Sequence, residues 1–404
     1  MKRRWTWGEK ALFLAPLLIL VGAGALWWGK KQGPQWLAAP EGMEVVNCSY
    51  SPDGKRLAAV LFGGNGASRG IIYDVASLSP VCELDKPAVS SWVLGELVWA
   101  PDGKSLALDF DDKMNLGKEL SKFVQWDAAN GRTIGQWHYG VPSNEWGNQL
   151  TKVKFSSDGQ KVLSDRVPPV IYETSTGKPL SRFFPQKDPK PGRPNRGEWN
   201  SDGKLLALIS TDNEHFEVQD TKSGRVLWQP KIEWINSAHW SRQGVLGALG
   251  NFGKRKSNLL LWDGQTRKPL PLPPSNSVGF IEFSSQNGLM ALSEVSPSRK
   301  PHKLIVWNYR ANRMLWAKEM RGQLHNFQWS PDGKSFLVTE TDRGQRRFLI
   351  GNGQGEVIRE IGTDTTSAAQ WAPDSKSVAV RHGFGIEIIK VDDAFKSERS
   401  FFRQ

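Results

Sequence analysis

Residues 329–338 read WSPDGKSFLV, and close copies recur along the chain. WAPDGKSLAL spans 99–108, YSPDGKRLAA 50–59, WNSDGKLLAL 199–208 and FSSDGQKVLS 155–164. Each copy is an alternating apolar run that ends at an aromatic residue, a Pro-Asp-Gly-type turn, and a second alternating run. Asp hydrogen-bonds the turn backbone and Gly accepts a positive φ, so each copy is a β-hairpin signal.

Aligned on the aromatic, the series is Tyr50, Trp99, Phe155, Trp199, Trp240, Phe283, Trp329 and Trp371, with a mean spacing of about 46 residues. Two copies are worn, WSRQGVLGAL at 240–249 and FSSQNGLMAL at 283–292, and WAPDSKSVAV at 371–380 carries Ser375 where the others have glycine. About twenty residues after each hairpin comes a second strand–turn–strand pattern, as in FVQWDAANGRTIGQW, VIYETSTGKPL and LIVWNYRANRMLW. It fades at IEIIKVDDAFKSE near the C-terminus. Four short strands in a period in the mid-forties make a β-propeller blade. The expected fold is therefore all-β, a single propeller of eight four-stranded blades over residues 43–404. Seven blades with a divergent closing piece is the alternative.

These hairpins resemble the repeats of WD-repeat and TolB-type propellers, and the resemblance covers about residues 43–404. It implies a fold and no reaction, because propellers host many functions. The second motif, as in VQDTKSGRVLW at 218–228 and QWDAANGRTIGQW at 125–137, is also similar to the tryptophan-docking repeats of quinoprotein propellers. That likeness implies an exported propeller with a small-molecule or redox role, although the chain is short for a catalytic quinoprotein and lacks an adjacent cysteine pair.

The N-terminus has a different character. MKRRWTWGEK carries four basic residues and precedes ALFLAPLLILVGAGALWW, eighteen residues without a charge. At 1.5 Å per residue a helix over 11–28 is about 27 Å long, enough to cross a bilayer core with Trp5, Trp7, Trp27 and Trp28 at its interfaces. Lys2, Arg3, Arg4 and Lys10 precede the run and only Lys30 and Lys31 follow closely, so the positive-inside rule places the N-terminus in the cytoplasm. The expected layout is a cytoplasmic basic segment at 1–10, a transmembrane signal anchor at 11–28, a linker at 29–42 and the propeller at 43–404. The propeller would then lie outside the cytoplasm, in a periplasm or at the cell surface. A cleaved signal peptide, with GAGA at 22–25 as its small-residue site, is the alternative.

Propeller topology sorts the loops. Turns between first and second strands, and between third and fourth, share one face and are short and formulaic. Loops between second and third strands, and between blades, share the other face and are long and varied, where binding usually lives. This second set is basic. It includes Lys187, Lys190, Arg193 and Arg196 in 184–198, and Lys254, Arg255 and Lys256 in 252–258. It continues with Arg299, Lys300 and Lys303 in 296–303, and Arg343, Arg346 and Arg347 in 342–347. With a net charge of +12, these residues form a candidate partner-binding rim for an envelope protein or an anionic ligand. A solvated basic surface is the competing reading. Nucleic acid is not expected.

No enzyme motif is legible in the sequence. GASRG at 66–70 fits the serine-hydrolase elbow only in letters, because no strand-to-helix turn follows Ser68. Asp109, Asp111 and Asp112 lack the glycine and distal glutamate of a calcium loop. His138, His215, His239, His302, His325 and His382 are scattered singly, so no zinc site is legible and no metal or cofactor is expected. Cys48 and Cys82 are assigned to the innermost and outermost strands of one blade, about 14 Å apart at 4.8 Å per strand, and so are expected to be free thiols. The expectation is a membrane-tethered, non-enzymatic propeller acting as an extracytoplasmic interaction scaffold. The alternatives are the small-molecule or redox role, and binding of an anionic envelope polymer or lipid headgroups.

Overall fold

The computed structural model describes residues 35–64, 67–86, 97–112, 120–142, 153–164, 170–182, 194–210, 213–253, 257–275, 277–285, 288–295, 302–363 and 368–391. The basic segment 1–10 and the apolar run 11–28 lie outside the described residues. Within the described residues no helix is long and apolar enough to cross a membrane.

Each repeated aromatic closes the first strand of a sheet. The eight first strands are β2 (Met43–Tyr50), β6 (Val98–Trp99), β10 (Val153–Phe155), β14 (Pro194–Trp199), β18 (Trp234–Trp240), β22 (Val278–Phe283), β26 (Gln323–Trp329) and β30 (Ala368–Trp371). Each begins an antiparallel four-stranded sheet, and there are eight such sheets. The number of blades is thus eight rather than seven.

The turn chemistry explains why the motif recurs. In blade one the Lys55 amide donates to Asp53 Oδ1 at 3.1 Å, Ser51 Oγ donates to the same oxygen at 2.7 Å, and the Arg56 amide donates to Ser51 Oγ at 2.9 Å. Gly54 completes the reversal at φ +71°. Ser330, Asp332 and Gly333 repeat the arrangement in blade seven. Ser375 adopts φ +62° in the place of glycine, and its hydroxyl accepts a hydrogen bond from the Asp332 amide of the preceding blade at 3.0 Å.

The abundant tryptophans join blade to blade. Trp99 Nε1 donates to the Ser49 carbonyl at 2.9 Å, Trp240 Nε1 to Glu198 at 2.8 Å and Trp329 Nε1 to Glu282 at 3.2 Å, each acceptor lying on the first strand of the preceding blade. A large apolar ring is buried between sheets while its one polar atom is satisfied across the junction. The core accordingly lies between blades: Ala58, Val60 and Ile72 of blade one pack with Trp99, Leu106 and Trp126 of blade two.

The last blade corrects the expected boundary. Its first three strands are β30, β31 (Ser377–His382) and β32 (Gly385–Lys390), and its fourth is β1 (Gln35–Ala38), from the segment read as a linker. Gln35 pairs with Ile388 and Ala38 with Gly385. Within the described residues the faint motif after residue 385 supplies the third strand, and 392–404 lie outside them. The two ends of the chain therefore share one sheet, which closes the ring.

Candidate functional site

The loop face gathers the connections that sequence reading singled out. Segments 252–258, 296–303 and 342–347 join second to third strands in blades five, six and seven, so they occupy consecutive positions around the ring. Lys187, Lys190, Arg193, Lys254, Arg255, Lys256, Arg299 and Lys300 lie outside the described residues, and Arg196 is placed only as a backbone position on β14. Lys303 opens the third strand of blade six and is half-buried. Arg343 sits exposed at the tip of the hairpin that joins β27 (Ser335–Asp342) to β28 (Gln345–Asn352).

Arg347 points into its own blade. Its guanidinium meets the Glu340 carboxylate through Nε at 2.7 Å and Nη2 at 2.5 Å, and Glu360 through Nη1 at 2.9 Å. Glu340 is 1% exposed and also accepts the Gly322 amide at 2.7 Å. Arg346, on the opposite face of the strand, lies over the Phe348 ring at 6.0 Å. Of the three arginines in this hairpin, Arg343 is the exposed one.

At the equivalent hairpin of the next blade, blade eight, stand two exposed aromatics that the sequence reading missed. Phe384 occupies the two-residue turn between β31 and β32 and is 72% exposed; Trp36 on β1 is 46% exposed. Trp36 stacks on His382 with ring centroids 5.4 Å apart, and His382 Nε2 lies 3.3 Å from the Glu387 carboxylate. The Phe384 carbonyl accepts the Ala39 amide at 2.9 Å, so the turn is tied to the closing strand. A two-residue hairpin and the ring-closing strand fix the backbone on which both rings stand.

Around the propeller axis, the residue before each repeated aromatic is Ser49, Val98, Lys154, Glu198, His239, Glu282, Gln328 or Gln370. Gln328 and Gln370 reach main-chain carbonyls of the next blade, Ala369 at 2.8 Å and Cys48 at 3.2 Å. Lys154 pairs with Glu198. Burial raises the Glu282 carboxyl from its usual range to about 7. Among the described residues no group of three His, Cys, Asp or Glu side chains is placed to hold a metal. The side chains of Asp109, Asp111 and Asp112 are outside the described residues.

On the formulaic face, a cleft of about 850 Å³ lies between the turns of blades one and two. The Asp53 and Asp102 carboxylates in it each accept a turn amide, and Arg56 Nη1 donates to the Ala128 carbonyl at 2.6 Å. Asp53, Asp102 and Arg56 are thus engaged in turn and junction structure. Ser68 opens the third strand of blade one, 5% exposed, with its hydroxyl buried and without a hydrogen-bond partner. Cys48 and Cys82 lie on the first and fourth strands of blade one and are both free.

The tryptophan-docking resemblance has a structural counterpart at two junctions. The Trp137 indole of blade two lies on Gly177 in the outer turn of blade three, and Trp316 of blade six lies on Gly355 of blade seven while donating to the Gly353 carbonyl at 2.8 Å. Trp228 of blade four differs and stacks on Trp262 of blade five, with centroids 5.0 Å apart.

No family model and no curated protein matches this sequence. Solved structures match it in fold. The Dos1 propeller is 14% identical with a TM-score of 0.57, over 90% of this chain and 96% of that one. BamB from Moraxella catarrhalis is 12% identical with a TM-score of 0.56, over 88% and 100%. A structure titled as the eukaryotic initiation factor is 16% identical with a TM-score of 0.56, over 83% and 92%. At these identities the likeness is one of fold, and the chain is an all-β, eight-bladed propeller of four-stranded blades.

Proposed function

We propose that this chain is a membrane-tethered, non-enzymatic scaffold that presents the loop face of its propeller to a protein partner outside the cytoplasm. The observation that carries the reading is the exposure of Phe384 and Trp36, 72% and 46%, on hydrogen-bonded backbone of blade eight. Large aromatics held out in water cost solvation free energy, and preorganised aromatics are what protein interfaces use as anchors. Arg343 stands exposed at the equivalent hairpin tip of the neighbouring blade and adds a cation to the same face. The uncharged run at 11–28 supplies the tether. The fold likeness to BamB is compatible with an envelope setting.

The test is affinity purification of the full-length chain from detergent-solubilised membranes, beside a Phe384→Ser, Arg343→Ser variant. A partner held by the wild type and lost by the variant supports the reading. Equal recovery by both baits removes the loop-face patch from it.

A second reading, a small-molecule role at the propeller axis, is favoured by one feature. Glu282 holds a half-buried carboxyl near neutrality on an inner strand, a group suited to exchanging a proton with a bound ligand. A ligand that stabilises the wild type and not Glu282→Gln would bring this reading forward.

A further inference from the structure

The chain enters blade eight from the side of the formulaic face. β32 runs from its loop-face turn at Gly385 toward the opposite face, and β1 pairs with it antiparallel, Gln35 lying against Ile388. Gln35 thus lies just past the middle of the outer edge of blade eight, and β1 runs from there toward the loop face. Only residues 29–34 separate it from the uncharged run that ends at Trp28. Fully extended, that stretch reaches about 25 Å at roughly 3.5 Å per residue. The strands of blade eight have at most six residues, roughly 20 Å at about 3.3 Å each, so a tether of this reach keeps blade eight next to the membrane.

Charge on the turn face is unevenly spread. Blade four offers Lys222 and Arg225, blade five Arg242, Arg267 and Lys268, and blade six Arg310 and Arg313, all exposed. In the turn segments 200–205, 220–225, 241–244, 263–268, 284–288 and 308–313 there are eight basic residues against three acidic ones, a balance of +5. The corresponding segments of blades seven, eight and one, 330–335, 352–357, 372–377, 51–56 and 74–80, hold four basic and five acidic residues, a balance of −1. The basic turns are locked together: Ser201 Oγ donates to the Arg242 carbonyl at 2.8 Å and Tyr309 OH to Gln243 Oε1 at 2.9 Å. Exposed apolar side chains stand beside the arginines, Val226 next to Arg225, and Met314 and Leu315 after Arg313. Cations interleaved with apolar side chains suit a surface of anionic headgroups over acyl chains.

We propose that the turn-face sector of blades four to six docks on anionic phospholipid headgroups. Resting on the tether reading above, the proposal gives the propeller two attachments on opposite sides of the ring, the N-terminal segment at blade eight and this charged sector. Together they lay the turn face on the bilayer and aim the Phe384 patch away from it.

The test uses the full chain with vesicles of phosphatidylcholine alone and with vesicles of equal parts phosphatidylcholine and phosphatidylglycerol. Flotation on the neutral vesicles reads the tether. Amine acylation at Lys222 and Lys268 reads the turn face, with Lys303 on the loop face as reference. The expected result is a several-fold fall in labelling of Lys222 and Lys268 on anionic relative to neutral vesicles, with Lys303 unchanged. The fall should vanish in the variant Arg225→Gln, Arg267→Gln, Arg310→Gln, Arg313→Gln and in high salt. Equal labelling on both kinds of vesicle, or protection of Lys303 instead, overturns the proposal. Failure to float on neutral vesicles refutes the tether alone. The docking sector then stands if the chain floats on anionic vesicles and the variant does not, and falls if neither floats.

Discussion

The indole of Trp137 lies so close to Gly177 that a Cβ built on the glycine would sit 2.7 Å from its Cδ2 atom. Gly177 also holds φ +68°, a region that side chains other than glycine rarely adopt. Blade two therefore grips blade three through a position that tolerates no side chain.

Gly177→Ala should lower stability by about 2–4 kcal/mol, combining left-handed strain with displacement of the indole. Gly224→Ala isolates the first part, because Gly224 has the same φ and nothing within 4 Å of its absent Cβ. Its cost should be about 1 kcal/mol. Urea unfolding of both variants checks the difference. Equal losses would mean that docking contributes nothing.

Arg347→Ser should destabilise by about 3 kcal/mol, since it strands the Glu340 carboxylate in the blade without its cation. Arg343→Ser, at an exposed hairpin tip, should change stability by less than about 0.5 kcal/mol. Thermal unfolding separates the two. Arg343 is consequently the residue with which to test the rim, and loss of a partner on replacing Arg347 would report damage to blade seven.

Glu282 sets a pH dependence with a definite sign. Its folded value, raised from 4.5 to about 7, means that the native state holds the proton more tightly than the unfolded chain. The stabilisation is fully present below 4.5 and is lost as the pH rises through 7. Relative to Glu282→Gln, the wild type should lose about 1–3 kcal/mol between acid and mildly alkaline solution. Parallel denaturant titrations across that range, showing no divergence between the two proteins, would contradict the assignment.

Both thiols should alkylate in unfolded, unreduced protein, giving a doubly labelled mass. In the native state Cys48 should react slowly, because burial pushes its thiol up to about 11. A mass that takes up no label after unfolding would reveal a disulfide and move one of the two strands.

The blades were legible because the motif carries both halves of its own hairpin, an aromatic to close the first strand and Asp-Gly to turn it. The closing strand was not legible. Gln35–Ala38 is too short to show a period of two, and its partner strand lies about 350 residues away, so no local pattern joins them. The rim was half legible. A two-residue turn at Arg343 and Gly344 pairs Asp342 with Gln345, and by the same register Glu340 with Arg347. Counting outward from the turn would have found the ion pair. Trp36 and Phe384 left no such signal, since an isolated aromatic looks the same in sequence whether its strand buries or exposes it.

The proposed partner surface is the loop face at the seam of blades seven and eight. Photo-crosslinking side chains placed singly at positions 384, 343 and 223 in cells producing the full chain test it most directly. Adducts to one and the same protein are expected from positions 384 and 343, and none to that protein from position 223 on the turn face. Adducts from position 223 alone, or no adduct from either loop-face position, would contradict it.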